Sequence, residues 1–207
     1  MTQIFHIHPD NPQQRLIRQA ADVIRQGGLI AYPTDTTYAL GCGIGEKAAL
    51  EKLIRLRRLD DKHQFSILCA DLSVLALYAK VSNTDYRLLK SHTPGAYTFI
   101  LQGTSEVPRR LMHEKKRTIG IRVPDHAICQ ALLAEIGGPI MTSTLHLPDD
   151  EFPLSDPYDI EMALQGRVDL IINGGFGSLE ETTVVSLVDE SGPEIVREGA
   201  GPVDRIF

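Results

Sequence analysis

The chain has 207 residues, 43% of them hydrophobic, and a formal net charge of -6, which is typical of a globular protein with a single core. No apolar run approaches the length needed to cross a membrane, and the first residues lack the basic stretch and apolar core of a secretory signal. Three widely spaced cysteines without a C-x-x-C pair indicate reduced thiols in the cytoplasm and argue against a disulfide framework or a structural zinc site.

Amphipathic and β-rich segments alternate along the chain, which predicts an α/β domain. Helices are expected at residues 12–26, 46–58, a short stretch after 71, 82–92, 125–136 and 156–164. Strands are expected at residues 29–32, 65–69, 97–101, 118–123, 139–145, 168–172 and 183–188. Several central strands follow one another without a helix between them. The prediction is therefore a single domain over residues 1–207 with an open, twisted, mixed sheet flanked by helices, and not a Rossmann order.

A dense group of hydroxyl side chains follows the predicted strand 29–32, which Pro33 ends because proline has no amide to donate. The polar residues of this loop are Thr34, Asp35, Thr36, Thr37 and Tyr38. Ligands of α/β sheets bind beyond the carboxyl ends of strands, so these hydroxyls are candidates for contact with a polar substrate. The alternative is a plain polar turn, in which the glycines up to position 45 only let the backbone bend.

Positive charge is concentrated in the middle of an acidic chain, in two groups. The first group is Arg55, Arg57, Arg58 and Lys62. The second group is Arg109, Arg110, Lys115, Lys116, Arg117 and Arg122. Local potential steers a polyanion more than net charge does, so Arg109, Arg110, Lys115, Lys116 and Arg117 are candidates for binding a nucleic acid. The alternative is an ordinary solvated surface with interspersed charges.

The common catalytic signatures are missing from the sequence. It has no dinucleotide fingerprint, no Walker A lysine and no G-x-S-x-G nucleophile turn. His6 and His8 could share one face of a strand, but without a third ligand nearby a plain edge-strand pair is the alternative to a metal site. No nucleophile or general base is assigned.

What remains is a set of arginines and hydroxyls at predicted strand and helix ends. They are Arg55, Arg57, Thr118, Arg122, Thr142, Ser143, Thr144, Thr182, Thr183 and Arg197. Arginine forks fit phosphate groups, and hydroxyls add hydrogen bonds, so the set indicates nucleotide binding with stabilisation of a transferring group. Gly120 lies between Thr118 and Arg122 on one strand face and is expected to leave room for a ligand against the sheet.

Eight motifs, in order, resemble those of the YrdC-like domain family. They are YPTDTTYALG, RLRR, TPGAYTFIL, TIGIRVP, PIMTSTLHLP, DLIINGG, TTVVSLVD and IVREG, within residues 14–201. The stretches HPDNPQQR, RRLDDKHQFSILCADL and LMHEKKRTIG are most similar to the YciO subgroup. The resemblance implies an open α/β fold with a large basic concave face that binds ATP and double-stranded RNA or tRNA. We expect a cytoplasmic monomer with no membrane partner.

The best-known members of this family are threonylcarbamoyl-AMP synthases. They join L-threonine, bicarbonate and ATP, release pyrophosphate, and feed the tRNA modification N6-threonylcarbamoyladenosine. By position, the resemblance implies amino-acid binding by Thr34, Thr36, Arg122 and Thr182. It implies nucleotide or phosphate binding by Arg55, Arg57, Thr118, Thr144, His146 and Arg197. ATP would enter with Mg²⁺, without protein ligands to the metal.

Two departures from the synthase pattern leave two functional hypotheses. The synthases carry K-x-R where this chain has Arg55-x-Arg57, and S-x-N where it has Thr144-x-His146. At position 55, the planar guanidinium of arginine replaces the compact ammonium group of lysine. At position 146, a neutral imidazole replaces an amide and can form only some of its hydrogen bonds. The chain is therefore either an ATP-dependent threonylcarbamoyl-AMP synthase or a related adenylating enzyme, or a non-catalytic module that binds double-stranded RNA or tRNA.

Overall fold

The fold is described by a computed structural model over residues 1–60, 63–189 and 191–207. Lys62, a member of the first basic group, lies outside the described residues. Within these three segments, no helix is long and apolar enough to cross a membrane.

Ten strands and six α-helices are found in the described segments. The strands are β1 (Gln3–His6), β2 (Ile30–Tyr32), β3 (Ala39–Gly43), β4 (Ser66–Leu68), β5 (Tyr97–Gln102), β6 (Thr118–Arg122), β7 (Ile140–Thr144), β8 (Leu170–Asn173), β9 (Thr183–Ser186) and β10 (Glu194–Arg197). The helices are α1 (Gln14–Arg25), α2 (Lys47–Arg57), α3 (Leu72–Tyr78), α4 (Asn83–His92), α5 (Ala127–Ile136) and α6 (Pro157–Leu164). A 3-10 turn spans Arg109–Leu111.

All ten strands belong to one mixed sheet in the order β1-β8-β2-β3-β7-β4-β6-β5-β9-β10. The pairs β1–β8, β2–β8, β4–β6 and β5–β9 are parallel, and the pairs β2–β3, β3–β7, β4–β7, β5–β6 and β9–β10 are antiparallel. The predicted fold class, a mixed open sheet with flanking helices, is confirmed.

Helices cover the two faces of the sheet unequally. On one face, α1 packs against α5, and their buried side chains join those of β2, β4, β7 and β8 in one apolar cluster. The other face is covered by a larger cluster that includes side chains of α2, α3, α4 and α6. The first cluster takes no side chain from β5, β6 or β9. This part of the first face therefore remains available for the polar cleft described below.

Local sequence signals explain where several helices begin. Asp71 accepts hydrogen bonds from the amides of Ser73 and Val74, and thus caps α3. Ser82 and Asp85 form a reciprocal capping box at α4, and Asp156 caps α6 ahead of Pro157. These side chains satisfy amides that have no partner inside the helix.

Three strands are present where none was predicted. β3 lies in the glycine-rich run that the sequence analysis interpreted as loop, while β1 and β10 are short and largely exposed. β3 is a strand because it pairs along its whole length with β7 and also with β2. Gly41 makes that pairing possible, since an added Cβ there would lie 2.8 Å from the Tyr32 ring.

Candidate functional site

A polar cleft of about 270 Å³ lies over the part of the sheet that α1 and α5 leave uncovered. Its floor follows from strand register, because Thr142 pairs with Ser66, Ser66 with Gly120, and Gly120 with Ile100. The titratable residues that line it are Arg57, His63, Arg122, Glu181 and Arg197. Its hydroxyl residues are Ser66, Thr98, Thr142, Ser143, Thr144 and Thr182. Three arginines and six hydroxyls against one carboxylate suit a small anionic ligand.

Arg122, at the end of β6, is the most deeply buried cation of the cleft, with its side chain 8% exposed. Its Nη2 donates to Thr36 Oγ1 at 2.8 Å and to Thr34 Oγ1 at 3.1 Å, and it pairs with the carboxylate of Asp35. Its Nε is buried and has no hydrogen-bond partner in the structure. The loop after β2 thus fixes one nitrogen of the guanidinium and leaves another unused.

The loop of residues 33–38 is itself rigidly held. Thr34 Oγ1 donates to the Thr37 carbonyl at 2.6 Å, and Asp35 accepts from the Asp125 amide at 3.0 Å. Tyr38 donates its hydroxyl to the Gly175 carbonyl at 2.7 Å. Thr34 and Thr36, predicted to bind an amino acid, are buried behind Arg122 and do not line the cleft themselves.

Arg57, at the last turn of α2, reaches the cleft with two anchored nitrogens. Its Nε donates to the His146 carbonyl at 3.1 Å, and its Nη1 donates to Ser143 Oγ. Burial lowers the pKa of Arg57, and the Glu181 carboxylate opposes that shift. Arginine does not lose its proton in proteins, so the guanidinium stays charged.

His63 is a cleft residue that the sequence analysis missed. Its Nε2 lies 3.5 Å from Ser143 Oγ, and its ring packs edge-on against Phe65 with centroids 4.9 Å apart. Burial and the neighbouring Arg57 lower the pKa of His63 to about 4, so that the imidazole is neutral at pH 7. In the sequence, His63 is a single histidine in a charged stretch, and nothing there predicts that it lines a cleft.

Arg197 and Glu181 form an ion pair on the opposite wall, with Arg197 Nη1 and Glu181 Oε2 2.5 Å apart. Arg197 Nε and Nη2 also donate to the Thr182 carbonyl, at 3.2 and 2.9 Å. Thr182 Oγ1 lies 2.8 Å from Thr98 Oγ1. Arg197 and Thr182, both predicted site residues, therefore meet in the cleft. Glu181 was missed, since it follows another glutamate in an acidic region.

A second hollow of about 480 Å³ continues from the cleft along β5 and β9. The two share Gln64, Ile100 and Val196 in their linings. Thr118, a predicted nucleotide contact, lines this second hollow and donates its hydroxyl to Gln64 Oε1 at 3.3 Å. Lys116 stands at the same hollow, which connects the cleft to the second basic group.

The five predicted RNA-binding residues lie together between β5 and β6. Arg109, Arg110, Lys115, Lys116 and Arg117 are all exposed. Arg110 donates to the Gly45 carbonyl, which ties the 3-10 turn to the end of the β3–α2 loop. The segment 109–117 thus exposes five cations, of which Lys116 lines the second hollow.

Two predicted phosphate contacts line neither the cleft nor the second hollow. Arg55 is exposed, and its Nε donates back to the Glu51 carbonyl of its own helix at 3.3 Å. His146 directs its imidazole to the Asp150 carbonyl, with Nε2 at 2.9 Å, and offers only its backbone carbonyl to Arg57. Thr144, the other member of that predicted pair, does line the cleft.

The described segments hold no group of three or more His, Cys, Asp or Glu placed around a common point. Cys42, Cys69 and Cys129 are buried free thiols. Burial raises the pKa of each thiol, to about 12 for Cys42 and Cys69, so none is a thiolate at neutral pH.

The fold and the arginine–hydroxyl cleft define an α/β domain of the YrdC-like class. The Sua5_yciO_yrdC family model, described as telomere recombination, matches residues 22–199. The chain is 54% identical over 203 residues to the uncharacterized protein YciO of Escherichia coli K12, covering 98% of both. The chain therefore belongs to the Sua5/YciO/YrdC family, which relates it to the threonylcarbamoyl-AMP synthases.

Two solved structures of the family share this fold. The crystal structure of E. coli YciO superimposes with a TM-score of 0.96, at 53% identity and with full coverage of both chains. The Pyrococcus abyssi protein Sua5 complexed with L-threonine superimposes with a TM-score of 0.90 at 26% identity, covering 99% of this chain and 60% of that one. The fold is therefore shared with a protein that binds an amino acid.

Proposed function

We propose that this chain binds ATP and L-threonine in the polar cleft and joins them with bicarbonate to form threonylcarbamoyl-AMP, releasing pyrophosphate. The observation that carries the proposal is the guanidinium of Arg122, which lines the cleft and is held in place at Nη2 by the loop after β2. A carboxylate is a common ligand of a guanidinium. The structure of Sua5 with L-threonine supports an amino acid as that ligand.

The remaining cleft residues suit the nucleotide part of the reaction. Arg57 and Arg197 line opposite walls of the cleft, and the hydroxyl residues Thr144 and Thr182 line it with them. Cations fixed before the reaction stabilise the negative charge that grows on a leaving pyrophosphate. Mg²⁺ would arrive on the ATP phosphates, since the described residues supply no cluster of metal ligands. Most of the rate would come from holding the reactants together.

The test is threonine-dependent release of pyrophosphate from ATP in the presence of bicarbonate. We expect a signal that needs all three substrates and that falls by about two orders of magnitude in Arg122→Lys, which keeps the charge but loses the fork. Arg58→Lys is the matched control, because Arg58 is exposed and pairs with Asp149 outside the cleft. Absence of any threonine-dependent pyrophosphate from the folded wild-type protein would sink the proposal.

Double-stranded RNA or tRNA binding is the second candidate function, favoured by the five exposed cations of segment 109–117. A surface of this kind contacts phosphates and releases counterions, so its affinity falls steeply with salt. Lys116 of this segment lines the second hollow together with Thr118. RNA bound there would lie next to the cleft in which the nucleotide is proposed to bind.

This candidate is tested by the salt dependence of affinity for a short RNA duplex. Neutralising Arg109, Lys115 and Lys116 to glutamine should flatten the plot of log affinity against log salt by about 0.9 for each phosphate that the protein no longer neutralises. The control replaces Arg15 and Arg18, exposed on α1, and should leave the slope unchanged. If the affinity for RNA changes neither with salt nor with the triple substitution, RNA binding by this segment is ruled out.

A further inference from the structure

Three side chains from separate parts of the chain converge on one wall of the polar cleft. They are Arg57 of α2, His63 shortly before β4, and Ser143 of β7. Ser143 is 7% exposed and accepts a hydrogen bond from Arg57 Nη1. A hydroxyl that accepts from a guanidinium keeps its own proton to donate. His63 Nε2 lies 3.5 Å away, and the tautomer of the ring decides which of the two atoms donates.

That arrangement is compatible with both tautomers of the neutral ring. With the proton on Nδ1, Nε2 accepts from the Ser143 hydroxyl. With the proton on Nε2, that nitrogen donates to the second lone pair of the same hydroxyl. The contact is at the outer limit of hydrogen-bond length, so a better partner for Ser143 or His63 replaces it at small cost. The edge-on packing against Phe65 holds the ring in the cleft meanwhile.

We propose that His63, Arg57 and Ser143 form a subsite for a doubly charged oxyanion, such as the outgoing phosphate groups, and that His63 takes up one proton from solvent as the anion enters. This inference rests on the proposed function for the identity of the anion. When the anion is bound, Nε2–H and the Ser143 hydroxyl both donate to it, alongside Arg57. The proton leaves again when the anion departs.

The charges around His63 explain why the ring gains a proton only with an anion. Burial and Arg57 hold its pKa at about 4 in the free protein, and the Asp60 carboxylate opposes them. Arg122, Arg197 and Glu181 line the rest of the cleft, and Arg197 pairs with Glu181. A dianion placed next to Arg57 reverses the local potential, and an opposite charge in contact raises the pKa of a histidine.

The experiment measures sulfate binding to the full chain by calorimetry at pH 5.5 and 7.5, in two buffers with different heats of ionisation. Sulfate keeps its charge across this range, so any proton uptake belongs to the protein. We expect affinity about tenfold higher at pH 5.5, with net proton uptake per sulfate bound. Equal affinity at both pH values, or no proton uptake, would overturn the proposal.

Variants assign the effect to this histidine. His63→Gln should bind sulfate with no pH dependence, whereas Ser143→Ala should bind more weakly and keep the pH dependence. His6→Gln is the matched control, because His6 is exposed on β1 at the far edge of the sheet. Retention of full pH dependence in folded His63→Gln would refute the assignment.

The wild-type measurement needs neither a variant nor threonine nor turnover, which separates this proposal from the proposed reaction. Proton-linked sulfate binding without pyrophosphate release would leave the subsite standing and refute only the synthase activity. Pyrophosphate release together with a sulfate affinity that does not change with pH would support the synthase activity and refute the proton-linked subsite.

Discussion

The Nη2 atom of Arg122 lies 2.8 Å from Thr36 Oγ1, although the two residues are 86 positions apart in the chain. The same nitrogen reaches Thr34, and Asp35 supplies the countercharge. A buried guanidinium is stable only when it is paired and hydrogen-bonded. The hydroxyl loop after β2 therefore has a structural task that its composition alone did not reveal: it holds a cation ready at the cleft.

The Arg122–Asp35 pair is expected to dominate local stability. Its side chains are 8% and 11% exposed, so Asp35→Ala leaves a buried charge without its partner. Removing one member of such a pair costs about 3–5 kcal/mol. Urea denaturation of Asp35→Ala should show a loss of that size in the free energy of unfolding.

The exposed pair Arg58–Asp149 supplies the control for that prediction, with side chains 68% and 80% exposed. Asp149→Ala should change the free energy of unfolding by about 1 kcal/mol or less. In a double-mutant cycle, Arg122→Ala combined with Asp35→Ala should lose much less than the sum of the single changes. Additive losses would contradict the pairing.

Arg57 and Arg55 are expected to differ sharply in their effect on ATP affinity. Arg57 lines the cleft, whereas Arg55 is exposed and hydrogen-bonds its own helix. Arg57→Ala should weaken ATP binding by about tenfold or more, as removal of one charge-assisted hydrogen bond does, while Arg55→Ala should leave it within about twofold. Calorimetric titration with ATP measures both. Equal losses would mean that Arg55 turns into the cleft when the nucleotide binds.

The sequence allowed most of the fold to be predicted, because the apolar periodicity of the helices and of strands such as β5, β6 and β8 is strong. It did not predict β3, whose residues Ala39–Gly43 are all small except Leu40 and include no β-branched side chain. That strand exists through its partners β2 and β7, so the information for it lies elsewhere in the chain.

The candidate site was predictable in its residue types but less so in its geometry. The resemblance to a known family singled out Arg122, and the structure shows what holds it. Arg55-x-Arg57 was expected to act as a pair, yet residues two apart on a helix point in different directions, so only Arg57 reaches the cleft. His63 and Glu181 enter the cleft through tertiary contacts, for which the local sequence carries no signal.

Asp169 is expected to make part of the stability dependent on pH. Burial would raise the pKa of this carboxyl, but the hydrogen bond from the Leu29 amide and the contact with Lys52 outweigh it, so the pKa is lowered. A lowered folded-state pKa means a contribution that is complete above about pH 5 and is lost as pH falls through the folded pKa. Asp169→Asn should therefore lower Tm at pH 7 and leave it closer to wild type at pH 3.

The exposed pair of Asp22 and Arg25 on α1 provides the comparison for Asp169. Asp22→Asn should change Tm little at either pH, because water screens such pairs. A Tm difference between Asp169→Asn and wild type that stays constant from pH 7 to pH 3 would show that the carboxyl contributes no proton linkage.

Gly120 is expected to be required for strand packing, whereas the sequence analysis expected it to make room for a ligand. An added Cβ would lie 2.3 Å from Ser66 Oγ and 3.2 Å from the Phe65 carbonyl oxygen. Ser66 is the first residue of the neighbouring strand β4, and Phe65 precedes it. Gly120→Ala should therefore destabilise the fold by about 1–3 kcal/mol, as overpacking does, measured by urea denaturation. Combining it with Ser66→Gly removes the closer clash and should restore part of the loss. Failure of that rescue would place the strain in the backbone contact with Phe65.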